Sequence, residues 1–111
     1  MISRELTAAS SEPIVLSILS SGETYGYELI QKVRLCSNEQ INWTDGMLYP
    51  VLHRLKTRGL IKSRWAKGEG GPRRRYYQLT AKGKTALANQ KAQWRMVNTT
   101  LDQLWEESEH A

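Results

Sequence analysis

The chain has 111 residues, 40% of them hydrophobic and 24% charged, with one cysteine, Cys36. That suits a single globular domain with a modest core. It excludes an internal disulfide, and no apolar run approaches the ~18 residues of a membrane span. The net charge of +5 is unevenly spread: residues 53–84 hold eleven Lys/Arg and one acid, Glu69, for +10, and the remainder carries −5. A basic segment on an otherwise acidic chain points to a polyanionic partner.

The first helix is expected from about Pro13, because a proline is tolerated in a first turn. It continues through IVLSILSS to a stop at Gly22. Thr24 is the expected N-cap of a second helix, YGYELIQKVRLC, with Leu29, Ile30 and Val33 as its buried stripe. Ile41-Asn42-Trp43 reads as a short strand. Thr44 or Asp45 then caps a third helix with Leu48, Val51, Leu52 and Leu55 on one face, ending at Gly59. Pro50 falls inside that helix. Its hydrogen-bond acceptor would be Gly46, close to the free N–H groups of the first turns, so its cost is expected to be below the ~3 kcal/mol of a mid-helix proline.

Residues 60–65 alternate as a strand, with Ile61, Ser63 and Trp65 on one face and Lys62 and Arg64 on the other. The glycine-rich turn KGEGGP follows. The chain returns as RRRYYQL, with Tyr77 and Leu79 inward, Tyr76 and Gln78 outward, and Arg73 and Arg75 on the face opposite Arg74. Thr80 caps a last helix running to about Glu107. Leu87, Gln90, Trp94, Val97, Leu101 and Leu104 form a heptad-like stripe along it.

Three helices followed by a β-hairpin is the order of a winged helix, in which the third helix enters the DNA major groove and the hairpin follows the backbone. The expected fold is mainly α: a winged helix-turn-helix over residues 1–80, with a β-hairpin wing, and a long C-terminal dimerisation helix over residues 81–111. The candidate DNA-binding residues are Thr44, Gly46 and Met47 at the start of helix three, where free N–H groups attract a phosphate. Tyr49 and His53 lie on its exposed face, and Lys67, Arg73, Arg74 and Arg75 on the wing. Tyr49 and His53 either meet bases or phosphates or pack against the wing. Asp45 is read as a cap.

Leu87, Trp94, Val97, Leu101 and Leu104 are the candidate dimer interface. A second use of Trp94, with Met96, is a site for a planar apolar effector. Cys36 reads as an idle thiol. Two histidines, His53 and His110, and one thiol give no metal-ligand spacing. No nucleophile–base pair or phosphate-cradling loop is evident. No catalytic function and no cofactor are therefore expected. The N-terminus lacks the apolar core of a signal peptide, and the cytoplasm, on the bacterial nucleoid, is the expected location.

DGMLYPVLHRLKTRGLIKSRW and GGPRRRYYQLTAKG resemble the PadR family of bacterial transcriptional regulators, as does Tyr25-Gly26-Tyr27-Glu28-Leu29. The family typically opens helix three with Gly-Ser/Thr-Leu-Tyr-Pro and leaves the wing through Tyr-Tyr-x-Leu-Thr-x-x-Gly. Met47 stands at the Ser/Thr position, and Tyr25 at a usual His. The resemblance implies a homodimeric repressor acting on a pseudo-palindromic double-stranded DNA operator and relieved by a small molecule. The rival with the same fold is a winged helix that binds proteins instead of DNA.

Overall fold

The structure, a computed structural model, describes residues 1–68 and 70–110. Glu69, placed in the expected hairpin turn, and Ala111, the end of the expected C-terminal unit, lie outside the described residues. The order of elements is α1 (Arg4–Leu19), β1 (Thr24–Tyr25), α2 (Gly26–Cys36), α3 (Asp45–Thr57), β2 (Ile61–Lys67), β3 (Arg73–Leu79) and α4 (Ala81–His110). It is mainly helical, and three helices precede the hairpin as a winged helix requires.

Helix α1 starts well before Pro13. Ser3 caps it by accepting the Leu6 N–H at 3.1 Å, and the following ELTAA stretch is rich in good helix formers. Pro13 therefore lies in mid-helix, where it removes one backbone hydrogen bond. Burial of Val15, Leu16 and Leu19 in the core holds the helix through that defect; each such side chain contributes ~1.5–3 kcal/mol.

Thr24 is not a cap. It pairs with Tyr77, and Tyr25 with Tyr76, so β1 adds a short third strand beside β3. Tyr25 occupies the N-cap position of α2 and makes no side-chain cap bond. The Thr24 hydroxyl is buried without a hydrogen-bond partner.

Ile41-Asn42-Trp43 is not a strand; it belongs to the loop between α2 and α3, where Ile41 and Trp43 enter the core as anchors. That loop begins with a left-handed pair, Asn38 (φ 51°) and Glu39 (φ 64°). The Glu39 N–H returns to the Arg34 carbonyl at 2.8 Å, closing the end of α2 as a Schellman turn. Thr44 caps α3, its hydroxyl accepting the Met47 N–H at 3.3 Å. Helix α3 continues through Pro50 without a break, and Gly59, at φ 76°, provides the left-handed exit.

Strands β2 and β3 pair antiparallel, from Ile61 opposite Leu79 to Lys67 opposite Arg73. Alternation puts Ile61, Tyr77 and Leu79 into the core with Leu16, Leu29, Leu48, Leu52 and Leu55. Farther out, the same face carries Ser63, Trp65, Arg73 and Arg75, outside the buried core. Thr80 caps α4 through the Gly83 N–H at 3.0 Å. Gly83 is required by close approach: a Cβ there would lie 2.0 Å from the Leu60 carbonyl oxygen. This contact seats the first turn of α4 on the start of β2.

Leu87 is 4% exposed, inside the chain's own core. The expectation that it forms part of a dimer interface is corrected: the first turns of α4 pack on the winged helix of the same chain and use Leu87 there. Beyond that point the stripe is uncovered, with Trp94, Val97, Leu101 and Leu104 all exposed. The molecule measures 60 × 29 × 21 Å, and α4 at 30 residues is long enough, at ~1.5 Å per residue, to account for most of the long axis.

Candidate nucleic-acid interface

The exposed side of α3 presents Gly46, Met47, Tyr49, Pro50 and His53. Tyr49 leans back toward α2: a Cβ built on Gly26 would lie 3.1 Å from the Tyr49 hydroxyl. Tyr49 as a residue is 48% exposed. The glycine at the start of α2 thus makes room for a tyrosine of α3, which fixes where the phenol sits on the outer surface. The Thr44 hydroxyl is engaged in the cap, while Gly46 remains open at the helix start.

The wing sorts its arginines by face. On the inner face Trp65, 55% exposed, lies between two guanidinium groups. Arg73 and Arg75 are each 5.7 Å from the Trp65 ring centroid. Arg75 also donates from Nε to the Ser63 hydroxyl at 3.0 Å. On the outer face Arg74 lies 4.4 Å from the centroid of Tyr25 and against the backbone of Gly68. Arg64 donates to both carboxylate oxygens of Glu23, at 2.8 and 2.5 Å, and lies 5.4 Å from the centroid of Tyr76. Tyr25 and Tyr76 meet edge to face at 5.6 Å.

The split of Arg73 and Arg75 from Arg74 follows the strand alternation. Arg74, counted among the DNA-binding candidates, is turned to the outer face, where its guanidinium closes a stack with Tyr25. The Arg64 guanidinium, by hydrogen bonding and charge, holds the Glu23 carboxyl below the usual carboxylate range, and Glu23 raises Arg64 in return.

Part of the basic segment is neutralised within the chain. Glu12 on α1 receives Arg58 at 2.6 Å and Arg54 at 3.8 Å. The Lys82 ammonium caps the end of α3 through the Arg58 carbonyl at 3.0 Å. Among the described residues no acid pairs with Lys56, Lys67, Arg73 or Arg75. These cations share the side of the molecule formed by α3 and the inner face of the wing.

Between α3 and β3 lies an open cleft of about 630 Å³, lined by Tyr49, His53, Lys56 and Thr57 on one wall and Arg75 and Tyr77 on the other. Burial pushes the Tyr77 phenol up, against the opposing effect of Arg75. Lys56, Ser63 and Trp65 had not been singled out as site residues. Ser63 was legible as the cross-strand partner of Tyr77, one pleat from Arg75, although its bond to Arg75 depends on a rotamer.

A second, mainly apolar groove of about 550 Å³ runs between α1, α2 and α4. Ile14, Ile18, Val33 and Trp94 line it, and Cys36 lies at its side. Met96 is not among its lining residues and is exposed elsewhere on α4.

The family model described as Transcriptional regulator PadR-like family matches residues 15–89. The chain belongs to the PadR-like family. A transcriptional regulator from Clostridium thermocellum superposes with a TM-score of 0.84 at 27% identity, covering 93% of this chain and 97% of that one. A PadR-like transcriptional regulator from Bacillus cereus strain ATCC 14579 gives a TM-score of 0.80 at 34% identity, covering 90% and 95%. The transcriptional regulator YqjI of Escherichia coli (strain K12) is 32% identical over 94 residues, 85% of this chain; this chain spans 40% of that protein.

PadR-like proteins are DNA-binding regulators of transcription, and homodimers are typical of the family. Membership places this chain with regulators and not with enzymes. Among the described residues no helix is long and apolar enough to cross a membrane.

Proposed function

We propose that this PadR-like chain is a homodimeric repressor that binds a pseudo-palindromic duplex. Helix α3 enters the major groove with Gly46, Met47, Tyr49 and His53 toward the bases and the helix start at Thr44 toward a phosphate. The wing follows the backbone with Lys67, Arg73 and Arg75. The observation that carries this reading is the sorting of charge. Within the basic segment, Arg54 and Arg58 are paired with Glu12, Arg64 with Glu23, and Arg74 is stacked on Tyr25, whereas Lys56, Lys67, Arg73 and Arg75, with no acid partner among the described residues, share the side of α3.

The two-fold partner covers the uncovered stripe of α4 at Trp94, Val97, Leu101 and Leu104. Burial of such side chains contributes ~1.5–3 kcal/mol each before entropic costs. A two-fold dimer requires half-sites about one helical turn apart. The groove beside Trp94 suits a planar apolar effector that would change the spacing of the two α3 helices.

Fluorescence anisotropy with the duplex upstream of the chain's own coding sequence tests the reading. Affinity should fall steeply between low and moderate salt, by counterion release. Competitor DNA of unrelated sequence should displace the protein poorly. Affinity indifferent to salt, or equal for all sequences, would reject sequence-specific DNA binding. Light scattering that shows a monomer at micromolar concentration would reject the dimer.

A further inference from the structure

We propose that the cleft between α3 and β3 is a seat for one DNA backbone phosphate in each half-site, held by Lys56 and Arg75 with His53 at its edge. The inference rests on the DNA-binding reading and adds to it a particular site and two residues, Lys56 and Ser63, that the reading of the sequence did not assign.

Four observations support the seat. Every polar side chain named on its walls is a cation or can donate a hydrogen bond, and among the described residues no acid lines it. An anion is the ligand such a lining suits, because a phosphate oxygen accepts from several donors at once. Secondly, the cations of α3 divide between two sides. Arg54 and Arg58 are drawn to Glu12 on α1, while Lys56 lines the cleft with no acid partner among the described residues.

Thirdly, Arg75 is held in place before any ligand arrives. Ser63 accepts from its Nε, and the Trp65 ring lies alongside its guanidinium. Its terminal nitrogens remain available, and less side-chain freedom is lost on binding than for an unsupported arginine. Fourthly, the Tyr77 phenol lines the inner wall, and a phenol is protonated at neutral pH and can donate. A backbone that touches both α3 and the wing must cross the gap between them, and the cleft occupies that gap. Ser63 acts through Arg75 and is a positioning residue.

A methylphosphonate scan tests the seat. Single phosphates of a duplex recovered by selection from random sequence are made neutral in turn. Binding is then measured for the full-length protein and its variants, with circular dichroism as the check on folding. One position per half-site should weaken the unmodified protein about tenfold, as expected for a lost charge-assisted bond. At that position Lys56→Ala with Arg75→Ala should lose little more, whereas at other positions the double variant should respond like the unmodified protein.

Ser63→Ala should weaken binding only where that phosphate is intact, and Ser63→Thr should restore it. Equal sensitivity of double variant and unmodified protein at every phosphate would overturn the seat while leaving DNA binding in place. Failure to retain any duplex at low salt would overturn the DNA-binding reading, and the seat with it.

Discussion

On the inner face of the wing, Arg73 and Arg75 lie along the Trp65 ring with no acid partner among the described residues; on the outer face, Arg64 is clasped by Glu23 and Arg74 lies over Tyr25. Both faces belong to the same two strands and are built from the same residue types. They differ in what stands behind them. The outer face is backed by β1 and the turn before it, which bring Tyr25 and Glu23 within reach of the arginines. On the inner face the guanidinium groups meet the indole of Trp65 and, for Arg75, the Ser63 hydroxyl, and no carboxylate among the described residues. A count of positive charge therefore overstates the charge available to a ligand.

The largest effect is expected from removing the inner pair. Arg73→Ala with Arg75→Ala should lower duplex affinity by about 100-fold at moderate salt, two charge-assisted contacts being lost. The slope of log affinity against log salt should shrink by roughly two. Melting temperature should hardly move. An unchanged salt slope would break the distinction between the faces at once. Trp65→Ala should act more gently, because the charges remain and only their support is removed. Two exposed cation–π contacts at ~0.5–1 kcal/mol each imply weaker binding with nearly the original slope. A large change of slope in this variant would mean that Trp65 does more than hold the arginines.

The division of Arg73 and Arg75 from Arg74 was legible in the sequence because a strand alternates strictly, and Tyr77 and Leu79 fixed which side was inward. The cap at Thr80 was legible for a similar reason, since a cap depends on residues three positions away; at α3 the sequence left Thr44 or Asp45 as the cap, and the structure uses Thr44, with Asp45 as the first helical residue. The neutralising contacts were not. Arg58 meets Glu12 across 46 residues and Arg64 meets Glu23 across 41, and no local pattern announces such pairs.

Strand β1 is two residues long and exists only through its pairing with Tyr76 and Tyr77, so Thr24 read as a helix cap. Pro13 misled the start of α1 because local preference yielded to burial of the following residues. Leu87 fits the heptad stripe equally well whether the covering surface belongs to its own chain or to a partner. Periodicity shows that a face is covered and does not say by what.

The outer face offers the converse test, in stability instead of binding. Arg74→Ala and Tyr25→Leu should each destabilise the fold, and a double-mutant cycle should return a coupling of ~0.5–1 kcal/mol for the half-buried stack. The salt slope of DNA binding should stay where it was. A slope reduced by one in Arg74→Ala would return Arg74 to the list of phosphate contacts and erase the contrast.

Glu23 gives the smallest expected effect and one with a definite sign. The Arg64 guanidinium bonds to both of its oxygens and holds its carboxyl below the usual range. In the unfolded chain that contact is lost and the carboxyl returns to its ordinary value, so between the two values the unfolded state binds the extra proton. The pair therefore stabilises the fold at pH above the ordinary carboxylate value, and the contribution disappears as pH falls through the lowered one. Glu23→Gln should melt slightly below the unmodified protein at neutral pH and together with it at the acid end. The difference is small because the pair is open to solvent, and salt should reduce it further. A gap that stays constant across the acid range would show that Glu23 serves the turn by its shape and not by its charge, leaving Arg64 as available to a phosphate as the arginines on the inner face.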